Sequence, residues 1–245
     1  MSICRCQIQN NKNSIIIHSM ANKKNQTKDE LENVQEALTR SEAFIETYRK
    51  PLLITLAAIV VVVVAIVLFR SSYLAPREIE AADKMVAPVD YFERDSFALA
   101  LNGDGVNDGF IAIIDSYGIT KTADLAAFYA GVCCYKLGQY EEAVEYLGRF
   151  DANTVNAKPV AIGLAGDCYS SMGDYANAVK YYERAASFDN GFTAPIYLKK
   201  AGIHYEELGD FAKAEQAYTK IKETYLDSPA AMDIDKYIER AKAKR

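Results

Sequence analysis

Three residues that could bind a transition metal recur at nearly constant spacing: Cys133, Cys168 and His204. Thiolate and imidazole groups are good zinc ligands. Free cysteine, however, is commonly a small buried hydrophobe, and the neighbouring Cys134 points in another direction on a helix. The five cysteines include no CxxC pair and form no disulfide framework. We therefore interpret these positions as structural and predict neither a metal nor a cofactor.

An acidic loop at 102–109, NGDGVNDG, faintly resembles a calcium-binding loop that Asp115 would complete. Its third position is Val106, where a calcium loop needs an oxygen ligand. An inter-helix turn closed by capping aspartates is the better interpretation.

Catalysis finds no support in the sequence. The only histidines are His18 and His204, and there is no phosphate-binding glycine loop, GxSxG or HExxH. Exposed helix faces explain the carboxylate pairs Glu141–Glu142 and Glu206–Glu207. Residues 71–245 hold 27 acidic and 19 basic side chains, a balance of −8, which argues against nucleic-acid binding. We predict a protein that is not an enzyme.

A run of nineteen uncharged residues, Pro51 to Phe69, predicts a single transmembrane helix. At 1.5 Å per residue it would span about 28 Å, close to the hydrocarbon thickness of a bilayer. Six Lys/Arg residues lie in 20–50 and four in 70–99, which modestly favours a cytoplasmic N-terminus. A linker at 70–81 would follow.

The segment before the span divides in two. Residues 1–19 lack a helical period, and we interpret them as an upstream extension before an initiator at Met20. Residues 20–50 form a cytoplasmic amphipathic segment. Its apolar spacing fits either a short coiled coil that makes a homodimer or a helix on the membrane or a partner; the positions are Leu31, Val34, Leu38, Ser41, Ile45 and Tyr48.

From residue 124 onward the chain repeats itself. Gly138, Gly173 and Gly209 each follow Leu or Met, and an aromatic and then an alanine follow at fixed offsets. Glycine permits the positive φ of a tight helix-ending turn, and Asp174 and Asp210 can cap the helix that follows it. Small residues seven positions upstream let two helices approach closely. Hairpins of this kind stack into a solenoid.

This pattern resembles the tetratricopeptide repeat family, although Ala127, Ile162 and Leu198 stand where the family has tryptophan. The resemblance implies an all-α fold: a transmembrane helix and an α-solenoid of about four hairpins. The predicted boundaries are a degenerate repeat at 82–123, with one helical stretch over 82–101, repeats at 124–158, 159–194 and 195–229, and a capping helix at 230–245.

The layout from residue 40 onward also resembles the YfgM-like ancillary subunits of the SecYEG translocon. The residues that carry the likeness are SEAFIETYRKPLL, one span, FALALNGD and YKLGQYEEAVEYL. That family is anchored in the bacterial inner membrane with its repeats in the periplasm, and it associates with the translocon and periplasmic chaperones. The resemblance implies the same location and partners here.

Tetratricopeptide arrays bind partners in a groove lined by the first helix of each hairpin. Carried over by repeat position, the predicted groove residues are Phe128, Val132, Tyr135, Lys136, Asp167, Ser170, Ser171, Lys199, Ile203, Glu206 and Glu207. An extended peptide or a helix would fit such a surface. Alternatively, some of these residues contact only the neighbouring hairpin or the capping helix.

Two functions remain open from the sequence. The first is an envelope-facing protein-binding module that serves translocation or chaperone complexes. The second is a dimeric structural scaffold for an envelope assembly.

Overall fold

The computed structural model describes residues 48–51, 53–151 and 157–245. The upstream extension, the initiator at Met20 and the coiled-coil positions from Leu31 to Ile45 lie outside these residues. The described part is mostly helical and contains no named strand. It divides into two compact units at Leu68 and Phe69.

Helix α1 covers residues 53–69 and is exposed along its whole length. By length and composition, one helix in the described part of the chain could cross a membrane, the helical stretch Tyr48–Glu93, of which α1 is the apolar part. This apolar part coincides with the run from Pro51 to Phe69 that predicts a span.

The second unit begins with a π-helical turn at Arg70–Leu74 and four short helices. These are α2 (Ala75–Lys84), α3 (Val86–Glu93), α4 (Phe97–Asn102) and α5 (Phe110–Tyr117). The helical pattern predicted over 82–101 is therefore divided between the end of α2, α3 and α4, with a break at 94–96. Asp95 adopts a φ of 56°, which lets α4 fold back on α3 and brings the rings of Phe92 and Phe97 to 5.6 Å.

Three helical hairpins and a final helix follow. They are α6 (Lys121–Lys136) with α7 (Tyr140–Arg149), α8 (Ala157–Ser171) with α9 (Tyr175–Ala186), α10 (Ala194–Glu207) with α11 (Phe211–Thr224), and α12 (Ile234–Lys244) after a 3-10 turn at Pro229–Ala231. Helix α6 begins three residues before the predicted repeat boundary at 124.

The hairpin turns have the predicted chemistry. Gly138, Gly173 and Gly209 have φ values of 78°, 78° and 77°, which a side chain would strain. Asp174 accepts a hydrogen bond from the backbone N–H of Asn177, and Asp210 accepts one from that of Lys213, both at 3.1 Å. These aspartates cap α9 and α11, which confirms the prediction from sequence.

Within each hairpin, a glycine of the first helix faces a large side chain of the second. A Cβ placed on Gly131 would lie 2.6 Å from Leu147 Cγ. On Gly166 it would lie 2.7 Å from a ring carbon of Tyr182, and on Gly202 it would lie 2.3 Å from one of Tyr218. The close approach predicted from the small residues is confirmed, and the hairpin cores depend on it.

Candidate protein-binding groove

The first helices of the three hairpins, α6, α8 and α10, carry the predicted groove residues. We call these three the A helices. Helix α6 packs against α8, and direct contacts join α8 to α10: Lys200 on α10 pairs with Asp167 on α8 at 2.6 Å, and Gly163 on α8 lies against the ring of Tyr197 on α10. Their side chains therefore form one continuous surface.

The groove positions on α6 remain accessible. Val132 and Tyr135 are half-buried and Lys136 is exposed. Phe128 is also half-buried, and its ring lies 5.1 Å from that of Phe150. This part of the surface offers aliphatic and aromatic area beside a cation, which suits contact with a polypeptide.

On α8, two predicted groove residues are engaged with the neighbouring hairpin. Asp167 accepts hydrogen bonds from the hydroxyl of Tyr182 at 2.8 Å and from the ammonium of Lys200 at 2.6 Å. Ser170 Oγ lies 2.6 Å from Nε2 of His204 on α10. Burial, and then the charge of Asp167, raise the pKa of Tyr182 far above its ordinary value, so its hydroxyl keeps its proton. Ser171 remains exposed.

On α10, the corresponding residues contact the C-terminal helix. Glu206 accepts hydrogen bonds from Tyr218 at 2.8 Å and from Arg240 of α12 at 2.7 Å. Lys199 pairs with Asp233, and its ammonium lies 4.6 Å from the centre of the Tyr237 ring. Ile203 packs against the core, and Glu207 is exposed. Thus α12 engages the groove positions of α10 as α10 engages those of α8.

Burial raises the pKa of Glu206, but the hydrogen bonds from Arg240 and Tyr218 outweigh burial, and the net pKa lies below its ordinary value. The carboxylate is therefore charged at neutral pH. A charged, hydrogen-bonded group that is 8% exposed serves the internal structure rather than an incoming ligand.

The three candidate metal ligands, Cys133, Cys168 and His204, are part of the internal packing of the hairpins. Cys133 and Cys168 are buried, and burial raises the pKa of each thiol to about 12. Both ring nitrogens of His204 already have partners, Ser170 Oγ and the carbonyl oxygen of Lys200 at 2.8 Å. Among the described residues, no group of three His, Cys, Asp or Glu side chains is placed to hold a metal ion.

The acidic loop closes on its own backbone. The carboxylate of Asp104 accepts hydrogen bonds from the backbone N–H groups of Val106 at 2.8 Å and Asn107 at 2.6 Å, and from the Tyr91 hydroxyl at 2.6 Å. Asp108 pairs with Lys84 at 3.0 Å. Asp104 therefore caps the turn, as the sequence favours, whereas Asp108 forms an ion pair with α2.

Comparison with known proteins agrees with this geometry. Residues 161–192 match the family model described as tetratricopeptide repeat. This segment contains most of α8 and all of α9. The chain therefore contains a segment of the tetratricopeptide repeat type. Such repeats suggest a protein–protein interaction module, because proteins of this kind bind protein partners. No protein with a curated description matches the chain.

Two solved structures share the fold. The TPR-like repeats of a putative kinesin light chain from Podosopora anserina superpose with a TM-score of 0.50 at 12% identity, covering 67% of this chain and 86% of that chain. A second crystal structure of those repeats, of a substituted form, gives the same values. The MamA protein gives 0.49 at 16% identity, covering 67% of this chain and 87% of that chain.

Proposed function

We propose that this chain is a single-pass membrane protein that holds a tetratricopeptide solenoid in the bacterial periplasm as an accessory of protein translocation or chaperone-type complexes. The observation that carries the proposal is chain order: the exposed apolar helix α1 is followed by one π-helical turn, four short helices and then the hairpins. The charge bias around the span and the resemblance to YfgM-like translocon subunits support the periplasmic side. In this proposal the protein binds partners and is not an enzyme.

The partner contacts are proposed to centre on α6 and on the end of α8. Lys136 and Ser171 are exposed there beside the half-buried Val132 and Tyr135. The corresponding positions on α10 contact α12, so a ligand would have to displace Arg240 and Asp233 to reach them. The accessible part is therefore the N-terminal half of the groove.

Co-purification in mild detergent tests the proposal. The full chain should recover translocon or periplasmic chaperone components, and the double substitution Lys136→Glu with Ser171→Glu should reduce recovery. A matched control, Lys180→Glu with Ala176→Glu, changes two exposed residues of α9 by the same kind of charge. Equal loss with both pairs would contradict a binding role for the groove, and repeated failure of the wild type to recover such components would contradict the proposed partners.

A further inference from the structure

Exposed large apolar side chains concentrate on one edge of the repeat array. We define the loop edge as the edge where the A helices and α12 begin, and the turn edge as the opposite one, at Gly138, Gly173 and Gly209. In the described residues between 110 and 245, eight such side chains are exposed, and six of them lie at the loop edge: Ile119, Leu125, Phe192, Ile196, Leu226 and Met232. The turn edge has Leu137 and Leu208.

The loop edge shows this feature at three helix starts, and the described residues at the start of α8 do not have it. A pair of exposed apolar residues stands at the start of α6, another at the start of α10 and a third before α12. The three most exposed members, Phe192, Leu226 and Met232, are 75%, 71% and 88% accessible. Single exposed apolar residues are ordinary on a protein surface, but a row of them along one edge indicates a contact surface.

Helix α2 is fixed to this same edge. The Glu78 carboxylate accepts hydrogen bonds from the backbone N–H groups of Lys121 and Thr122, each at 2.9 Å, and from the Thr122 hydroxyl at 2.6 Å. An anionic group at the N-terminus of α6 also interacts favourably with the helix dipole. Arg77 donates a hydrogen bond to the carbonyl oxygen of Ser116.

The clamp formed by Arg77 and Glu78 holds the loop edge close to the end of the apolar run. Glu78 is nine residues beyond Phe69, so at 1.5 Å per residue the clamp lies within about 14 Å of Phe69. The turn edge lies at the other end of α6, whose sixteen residues extend about 24 Å, so the clamp does not hold that edge near Phe69. Chain connectivity therefore places only the loop edge within a short distance of the end of the apolar run.

We propose that the loop edge rests on the lipid bilayer, with Phe192, Leu226 and Met232 entering the interface between headgroups and acyl chains. This inference rests on the proposed membrane anchor, and it adds an orientation: the hairpin turns point away from the membrane. Apolar residues of interfacial segments enter the headgroup and acyl boundary by about 5–10 Å. The accessible groove residues Lys136 and Ser171, at the C-terminal ends of α6 and α8, then lie on the side of the array that faces away from the bilayer.

Fluorescence quenching by lipid distinguishes the two edges. In the full chain with Cys4→Ser and Cys6→Ser, an environment-sensitive dye is attached to a cysteine replacing Ile119, Phe192 or Leu226 at the loop edge, or Leu137 or Leu208 at the turn edge. The buried native thiols have raised pKa values and react slowly. Each protein is reconstituted into phosphatidylcholine vesicles that contain a lipid with a nitroxide near the headgroup.

We expect quenching at the loop edge to exceed that at the turn edge at least about twofold, because interfacial residues reach the acyl boundary and the turn edge does not. Carbonate extraction of the same vesicles tests the anchor separately. Equal quenching at both edges in carbonate-resistant protein would overturn the bilayer contact and leave the anchor intact. A blue shift of the dye emission without lipid quenching would assign the loop edge to a protein contact instead. Extraction of the protein by carbonate would contradict the proposed membrane anchor. Circular dichroism verifies that each labelled protein is folded.

Discussion

The first hairpin and the two that follow fill the same internal position in different ways. In the α6–α7 hairpin, Leu147 packs on Gly131, and this contact is purely hydrocarbon. In the next two hairpins, Tyr182 and Tyr218 pack on Gly166 and Gly202 in the same manner. Each tyrosine also donates its hydroxyl to a carboxylate that binds a cation on the following helix: Asp167 with Lys200, and Glu206 with Arg240.

This difference indicates which part of the stability comes from within a hairpin and which part comes from the interface between hairpins. Leu147 has no polar atom with which to bind a following helix, so it contributes by packing in the buried core alone. The tyrosine, carboxylate and cation connect a hairpin to its successor, so part of the stability belongs to the interface between repeats. The C-terminal half of the array should therefore be more cooperative and more sensitive to charge than the first hairpin.

The largest expected effect comes from adding a methyl group to the hairpin glycines. Gly202→Ala should reduce stability by about 1–3 kcal/mol, since the new Cβ meets a fixed aromatic ring, and Gly131→Ala should cost less because Leu147 can change rotamer. Gly148→Ala is the matched control: nothing lies within 4 Å of its Cβ position, so it should stabilise α7 by about 0.5–1 kcal/mol. Urea unfolding measures all three. Similar losses at Gly202 and Gly148 would contradict the packing description.

The next effect tests the charged network of the last hairpin. Glu206→Gln should reduce stability by about 1–2 kcal/mol at pH 7, because bonds to a charged acceptor are stronger than the neutral ones that Gln would retain. Since the folded pKa of Glu206 is lowered from its ordinary value of 4.5, its charge stabilises the fold above that pH, and this contribution disappears as pH falls below it. The difference between the wild type and the variant should therefore shrink in acid.

Glu145→Gln serves as the control for this charge effect. Its exposed pair with Arg149 within α7 should contribute at most about 0.5 kcal/mol. A pH-independent loss with Glu206→Gln, or an equal loss with Glu145→Gln, would show that the charge of Glu206 does not couple the last hairpin to α12.

The smallest effect concerns the missing cap of the first hairpin. Gln139 has φ and ψ of −88° and 70° but makes no capping bond, whereas Asp174 and Asp210 have nearly the same angles and do cap their helices. Gln139→Asp should therefore raise stability by about 0.5–1 kcal/mol, measured as an increase in Tm. An unchanged Tm would mean that α7 does not benefit from the cap that α9 and α11 use.

The sequence predicts the features that recur at fixed offsets. The turn glycines, their following aspartates and the small residues opposite large ones all repeat every 35 or 36 positions, so their shared role is visible. Asp167 and Glu206 are different: they stand six and three positions before their turn glycines. Their common role with the buried tyrosines therefore has no periodic signal, and by repeat position both were predicted to face a ligand.

Two other features also lie outside the repeat pattern. The contact between Glu78 and Thr122 joins residues 44 positions apart. Glu78, which binds the start of α6, belongs to α2, a helix that is part of no clear repeat. The break at Asp95 depends on a single backbone angle, while apolar residues continue at helical spacing on both sides of it. Tertiary contacts decide both features, and a periodic pattern does not contain them.

The most direct test of the anchored, outward-facing module is its membrane topology. An alkaline phosphatase reporter, which is active only outside the cytoplasm, is fused after Arg245 in the full chain and compared with the same fusion placed before residue 20. We predict activity for the C-terminal fusion and none for the N-terminal one. Activity in the opposite pattern would place the repeats in the cytoplasm and contradict the proposed function. Activity of neither fusion, with both proteins found in the soluble fraction, would contradict the membrane anchor.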